Sequence, residues 1–282
     1  MNAVSIYKSP AGEEAIKDHY NSVLADWPVP KEELVIATRH GQTFIIACGN
    51  ENGPPLILLH GSGSNSAMWI GDVVDYCQHH RVYAVDIIGE ANHSDPSRPD
   101  LGGDAYSEWL DDVHCELGLK TASLLGISLG GWIALKYAIA KPAQVDKLVL
   151  LCPGGVAPER RAFMLMALPM LLLGQRGVKM MIRYVYGTQD LPQEAVHFAQ
   201  LIFDNFKPRM GGLPLFSDRE LQRLTMPTYL VVGARDVLLN SAETARRIDA
   251  LLPRAKIKQM QDAGHVLIGL SDEISEFLRE YS

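Results

Sequence analysis

The chain has little that would tie it to a nucleic acid, a membrane or a metal. Its 282 residues carry 33 Asp and Glu against 26 Lys and Arg. A formal net charge of -7 leaves no electrostatic case for nucleic acid or an anionic lipid surface. The four cysteines, Cys48, Cys77, Cys115 and Cys152, have no paired spacing and no histidine cluster beside them. Neither a disulfide framework nor a metal centre is expected, and a reducing cytoplasm is the expected compartment. Residues 1–8 lack the apolar core of a signal peptide. The most apolar run, residues 163–173, is too short to span a bilayer and contains Pro169. No internal repeat and no low-complexity linker is visible. What remains, 47% hydrophobic and 21% charged, suits one compact unit with a sizeable core and room for an inserted subdomain.

The most informative stretch is Gly126-Ile127-Ser128-Leu129-Gly130, with Gly131 behind it. Residues 121–125 read as a short buried strand. Residues 132–140 are helix-compatible and stop before Pro142. A serine between a strand and a helix, with glycine two residues away on each side, has the pattern of a nucleophile elbow. The sharp turn lifts Ser128 Oγ clear of the sheet. The Leu129 N–H then lies at the positive end of the next helix, where an oxyanion can be held.

Around this turn the chain alternates strands and helices. Residues 33–38 and 42–47 flank Arg39-His40-Gly41 and read as a hairpin, with His40 a turn residue. Further strands are read at 55–59, 82–86, 147–152, 227–233 and 255–260. Helices are read at 11–26, 104–117, 241–252 and 272–280. The first of these, with Ala15, Ile16, Tyr20, Val23 and Leu24 on one face, is expected on the outside of the domain. The rhythm predicts a mostly parallel, doubly wound sheet with helices on both faces, an N-terminal antiparallel hairpin, and ligands at the carboxyl ends of the strands. Residues 156–214 break it, being helical in composition and rich in Met and Leu. They are expected to form an inserted helical cap, with residues 1–155 and 215–282 as the core. Part of the cap, with Met164, Met166 and Met170 as candidates, would roof an apolar pocket.

A serine hydroxyl is a poor nucleophile at neutral pH. It needs a base within hydrogen-bond reach, and the base needs an orienting carboxylate. Asp236 and His265 follow the last two expected strands, on the edge where Ser128 emerges. The roles assigned are Ser128 as nucleophile, His265 as general base then acid, and Asp236 as orienter of the imidazole. The loop His60-Gly61-Ser62-Gly63-Ser64 follows another strand, and its glycines free the backbone to aim N–H groups at a cavity. Ser62 N–H is the candidate second oxyanion donor, beside Leu129 N–H. His60 reads as a structural hydrogen-bonder. His93 is the rival base.

These residues together resemble the α/β-hydrolase superfamily over residues 33–282. The match is carried by His60-Gly61, the elbow, Gly233-x-x-Asp236 and Gly264-His265. The resemblance is nearest to capped, esterase-like members, a group that also holds C–C bond hydrolases and proline iminopeptidases. The chain order Ser…Asp…His of that family favours His265 over His93. The resemblance implies the α/β-hydrolase fold, an acyl-enzyme mechanism, no cofactor, and a substrate pocket between core and cap, and the leading expectation is a hydrolase of small to medium carboxylic esters with a small-molecule ester substrate. C–C bond hydrolysis, amide or peptide hydrolysis, and acyl or perhydrolytic transfer share the same triad. A ligand-binding protein without turnover is the alternative outside enzymes, and a homo-oligomer is left open. Two positions depart from the family. Relatives often carry D-x-x-G-x-G-x-S where this chain has Asp86-Ile87-Ile88-Gly89-Glu90-Ala91-Asn92-His93-Ser94, which adds the charge of Glu90. Ile127 precedes the nucleophile where relatives often have a polar or aromatic residue. Serine at the elbow argues against the epoxide-hydrolase and haloalkane-dehalogenase branches, whose nucleophile is a carboxylate.

Overall fold

A computed structural model describes residues 5–160, 170, 175–187, 193–209 and 211–280. Helix α1, Pro10–Ala25, starts where the Ser9 side chain accepts the Gly12 N–H and proline occupies the first turn. A hairpin follows, β1 (Lys31–Thr38) and β2 (Gly41–Gly49). Then come β3 (Pro55–Leu59), α2 (Val73–Cys77), β4 (Arg81–Val85), α3 (Ala105–Glu116), β5 (Ala122–Ile127), α4 (Leu129–Ala140) and β6 (Val145–Leu151). Helices α5 (Gln175–Tyr186) and α6 (Gln193–Asn205) follow β6. The chain closes with α7 (Asp218–Leu221), β7 (Thr228–Gly233), α8 (Ser241–Leu251), β8 (Lys256–Met260) and α9 (Ser271–Glu280).

The strands form one sheet in the order β1-β2-β4-β3-β5-β6-β7-β8. β2 runs antiparallel to both β1 and β4, and every other pairing is parallel. Strands covered on both faces need apolar residues at odd and even positions alike, and these strands have them. Ile57 and Leu59 of β3, Leu124 of β5 and Leu148 of β6 enter one core, around Trp109, Trp132 and Tyr137. Leu56, Leu58, Leu125 and Val149 enter the other, around Trp69, Tyr76 and Phe277. Because β3 and β5 to β8 are parallel, their carboxyl ends share one edge, and the loops there carry the candidate site.

Three differences from the sequence reading have physical causes. Helix α4 begins at Leu129 and takes Gly130 and Gly131 into its first turn, because those glycines pack against backbone rather than break the helix. Helix α2 is only five residues long, too short for a hydrophobic period to announce it. Helix α1 is more than outer packing. Ile16, Tyr20 and Leu24 are buried, and the Tyr20 hydroxyl donates to Asp86 Oδ1 at 3.0 Å in the interior. The N-terminal segment also pairs with the chain after α6. Lys8 N donates to Asn205 O and Lys207 N to Ile6 O, each at 2.8 Å, with Tyr7 and Phe206 buried beside them. Of the apolar run 163–173, all but Met170 lies outside the described residues, including Met164 and Met166.

Candidate active site

Ser128 joins β5 to α4 with φ 53° and ψ -110°, a backbone that a non-glycine residue holds only under strain. The surrounding glycines make the turn possible. A Cβ at Gly126 would stand 2.4 Å from Gly130 O, and one at Gly130 would stand 2.2 Å from Leu59 O. Any side chain there would push the elbow off the end of β3. Ser128 N donates to Leu151 O at 3.0 Å, and Gly154 N donates to Ser128 O at 3.2 Å. The elbow is thereby tied to the turn that follows β6.

The loop after β3 faces the same serine. A Cβ at Gly61 would lie 3.8 Å from Ser128 Cβ. Among the described residues, the N–H groups of Ser62 and Leu129 have no acceptor. Backbone donors left uncommitted near a strained serine are the kind of group that can hold an oxyanion. His60 holds the loop from behind. It is fully buried, donates from Nδ1 to Gly61 O at 2.8 Å, and accepts the Ile87 N–H at Nε2 at 2.9 Å. Burial pushes its imidazole down to about 4, so it stays neutral and structural.

Asp236 and His265 meet because β7 and β8 end side by side. A Cβ at Gly233 would stand 1.9 Å from Gly264 O, so only glycine lets β7 run against the turn that carries His265. His265 Nδ1 lies 2.8 Å from Asp236 Oδ2. Asp236 Oδ1 accepts the N–H groups of Leu238 at 2.8 Å and Leu239 at 3.0 Å. Burial by itself would raise this carboxyl. The bond to His265 and the two amides outweigh burial and hold it below the usual aspartate value, ionised at neutral pH. The His265 N–H donates to Val185 O at 2.8 Å, at the end of α5.

Cys152 belongs to this group, though its lone position in the sequence had no signal beyond following a strand of the same edge. It sits at φ 41° after β6. Its Sγ, with the facing atoms of Asp236 and His265, completes the described group of three side chains whose ligating atoms lie within 4.8 Å of one another. Burial, reinforced by the Asp236 charge, pushes the thiol up, so it is a protonated donor towards the carboxylate. A metal takes a thiolate, whereas here the thiol keeps its proton and His265 Nδ1 faces Asp236. Cys48 and Cys77, far apart in sequence, also meet, with Sγ atoms 3.4 Å apart as free thiols.

The rival histidine is engaged elsewhere. The His93 ring stacks on Tyr20 with centroids 4.8 Å apart, and its Nε2 lies 2.8 Å from Asn21 Oδ1 on α1. Its backbone N–H donates to Asp86 Oδ2 at 3.1 Å. Asp86 is buried and its carboxyl is raised to about 6, chiefly by that burial.

The reversed β2, the parallel strands beyond it, and the serine turn with an Asp–His pair on the same edge describe a hydrolase of the alpha/beta type. The chain belongs to that family, as the alpha/beta hydrolase family model matches residues 56–279. Within the family it is carboxylesterase-like. It is 32% identical over 257 residues to an uncharacterized carboxylesterase, nap, of Bacillus subtilis (strain 168), covering 88% of this chain and 85% of that one. The carboxylesterase YbfK of the same strain is also 32% identical, over 260 residues and 86% of its length. The crystal structure of naproxen esterase from Bacillus subtilis superposes with a TM-score of 0.84 at 29% identity, covering 96% of this chain and 100% of that one. A meta-cleavage product hydrolase from Pseudomonas fluorescens shares the fold, with a TM-score of 0.70 at 20% identity over 88% of this chain and 98% of that one. Among the described residues, no helix is long and apolar enough to cross a membrane.

Proposed function

We propose that this chain is a serine esterase that cleaves small to medium carboxylic esters through an acyl-enzyme intermediate. The observation that carries the reading is the Asp236–His265 pair at 2.8 Å on the sheet edge where Ser128 is held at a strained turn. His265 takes the Ser128 proton as Oγ attacks the ester carbonyl. The carbonyl oxygen becomes an oxyanion and is held by the N–H groups of Ser62 and Leu129, each worth about 3 kcal/mol in such a hole. The ester C–O bond then breaks, and the alkoxide leaves with the proton from His265. Water attacks the acyl-serine with His265 again as base, and Ser128 is regenerated. Asp236 stays ionised throughout, fixing the Nδ1–H tautomer that leaves Nε2 free to accept.

In this reading residues 156–214 are a cap. Val185 bonds to the His265 backbone, and Gly187 bridges to Ala263. Ile202 of α6 comes within 3.4 Å of where a Cβ on Gly63 would be. The two described helices of the insertion, α5 and α6, thus reach the loops around Ser128 and His265, which supports a substrate site between them and the sheet. The carboxylesterase relatives support an ester over the amide and C–C alternatives.

The test is hydrolysis of p-nitrophenyl esters together with labelling by a fluorophosphonate. Ser128→Ala should lose both, with a fall in kcat of about five to six orders of magnitude and an unchanged circular dichroism spectrum. Labelling that persisted at Ser62 or Ser64 in that variant would overturn the assignment of the nucleophile. No turnover and no labelling in the wild type would favour a ligand-binding protein.

A further inference from the structure

Glu90 is a departure from the family pattern, and its charge has no place in the proposed reaction. It is completely buried, in the turn after β4. A carboxylate is costly to bury, so its partners should show what it is for. Its Oε2 accepts the Gly63 N–H at 2.7 Å and the Ser62 hydroxyl at 3.3 Å. Both partners belong to the loop whose Ser62 N–H is uncommitted and whose Gly61 faces Ser128. A charge-assisted bond from an amide to a carboxylate is about twice as strong as one to a neutral acceptor.

The surroundings anchor this carboxyl group. Its own turn is tied to the loop after β3 at two further points. Asn65 Nδ2 donates to Ala91 O at 3.1 Å, and the Ile87 N–H donates to His60. Burial raises the Glu90 carboxyl, while the Gly63 N–H and the guanidinium groups of Arg98 and Arg209 oppose that rise. Arg98 is held in turn by Gly89 O at 2.9 Å and Lys207 O at 2.7 Å. Arg209 reaches the Tyr106 hydroxyl at 2.7 Å. Among the described residues, Glu90 Oε1 and Arg209 Nε are both buried without a hydrogen-bond partner. A carboxylate serving only to fill space would be cheaper as an apolar residue of the same size.

We propose that Glu90 is the positioning residue of the oxyanion loop: its carboxylate, gripping Gly63 N–H and the Ser62 hydroxyl, holds the Ser62 N–H where the tetrahedral oxyanion forms. This rests on the reading of Ser62 N–H as an oxyanion donor. Glu90 touches no substrate. It acts through the loop, so it contributes in the transition state and little in the ground state.

The experiment compares Glu90→Gln, Glu90→Ala and Ser62→Ala with the wild type on p-nitrophenyl butyrate. It also measures inhibition by an alkyl trifluoromethyl ketone, which forms an anionic tetrahedral adduct with the serine, and by the matching methyl ketone, which reports ground-state binding. Glu90→Gln keeps the size of the side chain but loses the charge. It should lower kcat about tenfold or more, and Glu90→Ala about a hundredfold, with KM within about twofold. Affinity for the trifluoromethyl ketone should fall by the same factors while methyl ketone binding holds. Wild-type affinity for the trifluoromethyl ketone in a folded Glu90→Gln protein overturns the proposal, as does equal weakening of both ketones. If the Glu90 variants do not fold, Ser62→Ala removes only the hydroxyl arm and should show the same pattern at a few-fold size. Its absence is equally decisive. Fluorophosphonate labelling separates the two levels. A wild type not labelled at Ser128 brings down the serine esterase reading, whereas labelling at Ser128 with unaltered Glu90 variants brings down this proposal alone.

Discussion

At the scale of single residues, chemistry-bearing types at strand ends were legible, and their neighbours were not. Ser128, Asp236 and His265 stand out because each follows an expected strand and lies near a glycine that serves a turn. Cys152 follows a strand of the same edge, yet nothing local separates it from an ordinary buried cysteine. Its place beside Asp236 exists only when β6 and β7 lie side by side. Glu90 was visible as a departure, but the amides it grips come from another loop. One prediction belongs here. In Asp236→Asn the amide oxygen can keep the Leu238 and Leu239 N–H bonds, so the loop should hold its shape. The NH2 group then faces His265 Nδ1 and cannot accept its proton, which forces the wrong tautomer. The rate kcat should fall by about ten-thousandfold with little loss of thermal stability, read by kinetics and a melting curve. A loss of only a few-fold would mean that Asp236 is not the orienting carboxylate.

At the scale of elements, period and punctuation carried most strands and helices to within a residue or two. Ends moved where packing overrode local preference, as at Gly130 and Gly131. The interface of α3 with α4 shows what periodicity leaves out. His114 is buried on α3 with its ring 4.9 Å from Tyr137 of α4, and among the described residues neither ring nitrogen has a partner. Burial holds this imidazole down to about 4, against an ordinary value of 6.5. The unfolded chain takes up a proton below 6.5, and the folded chain does not until about 4. The contribution is therefore lost as pH falls through that window. At pH 5 this costs the folded state about 2 kcal/mol relative to pH 8. His114→Phe should remove that loss, so its stability relative to wild type, from urea unfolding, should be about 2 kcal/mol more favourable at pH 5 than at pH 8. An offset independent of pH would show that His114 takes up its proton in the fold as readily as in the unfolded chain.

At the scale of the whole molecule, the insertion after β6 and the N-terminal segment are bound to each other and to the catalytic edge. α1 packs on α6, and residues 6–8 pair with residues 205–207. If residues 156–214 cap the sheet as proposed, they must bury their own apolar face as well as line a pocket, so the acyl site should be short. Each buried methylene is worth about 0.8 kcal/mol, close to fourfold in specificity, until the pocket is full. Across p-nitrophenyl esters, kcat/KM should rise and then fall, with acetyl to hexanoyl esters ahead of dodecanoyl. An optimum at dodecanoyl or beyond would indicate an open, lipase-like groove. If Met164, Met166 or Met170 faces the substrate, its change to alanine should shift the optimum, whereas lost stability alone would make the stretch cap core.

The sequence by itself determined the alternation of strands and helices, the parallel sheet and the elbow. These depend on local rules: apolar period, turn residues, and the need of a strained turn for glycine. It also put Ser128, Asp236 and His265 at strand ends, which places them on one edge once the strands are parallel. Only the tertiary structure decided that β4 lies between β2 and β3, that His93 belongs to α1, and that Cys152 and Glu90 back the pair and the loop. Those contacts join segments tens to more than a hundred residues apart along the chain. Partners so distant leave no local pattern, because each is set by how whole elements pack and not by its neighbours in sequence.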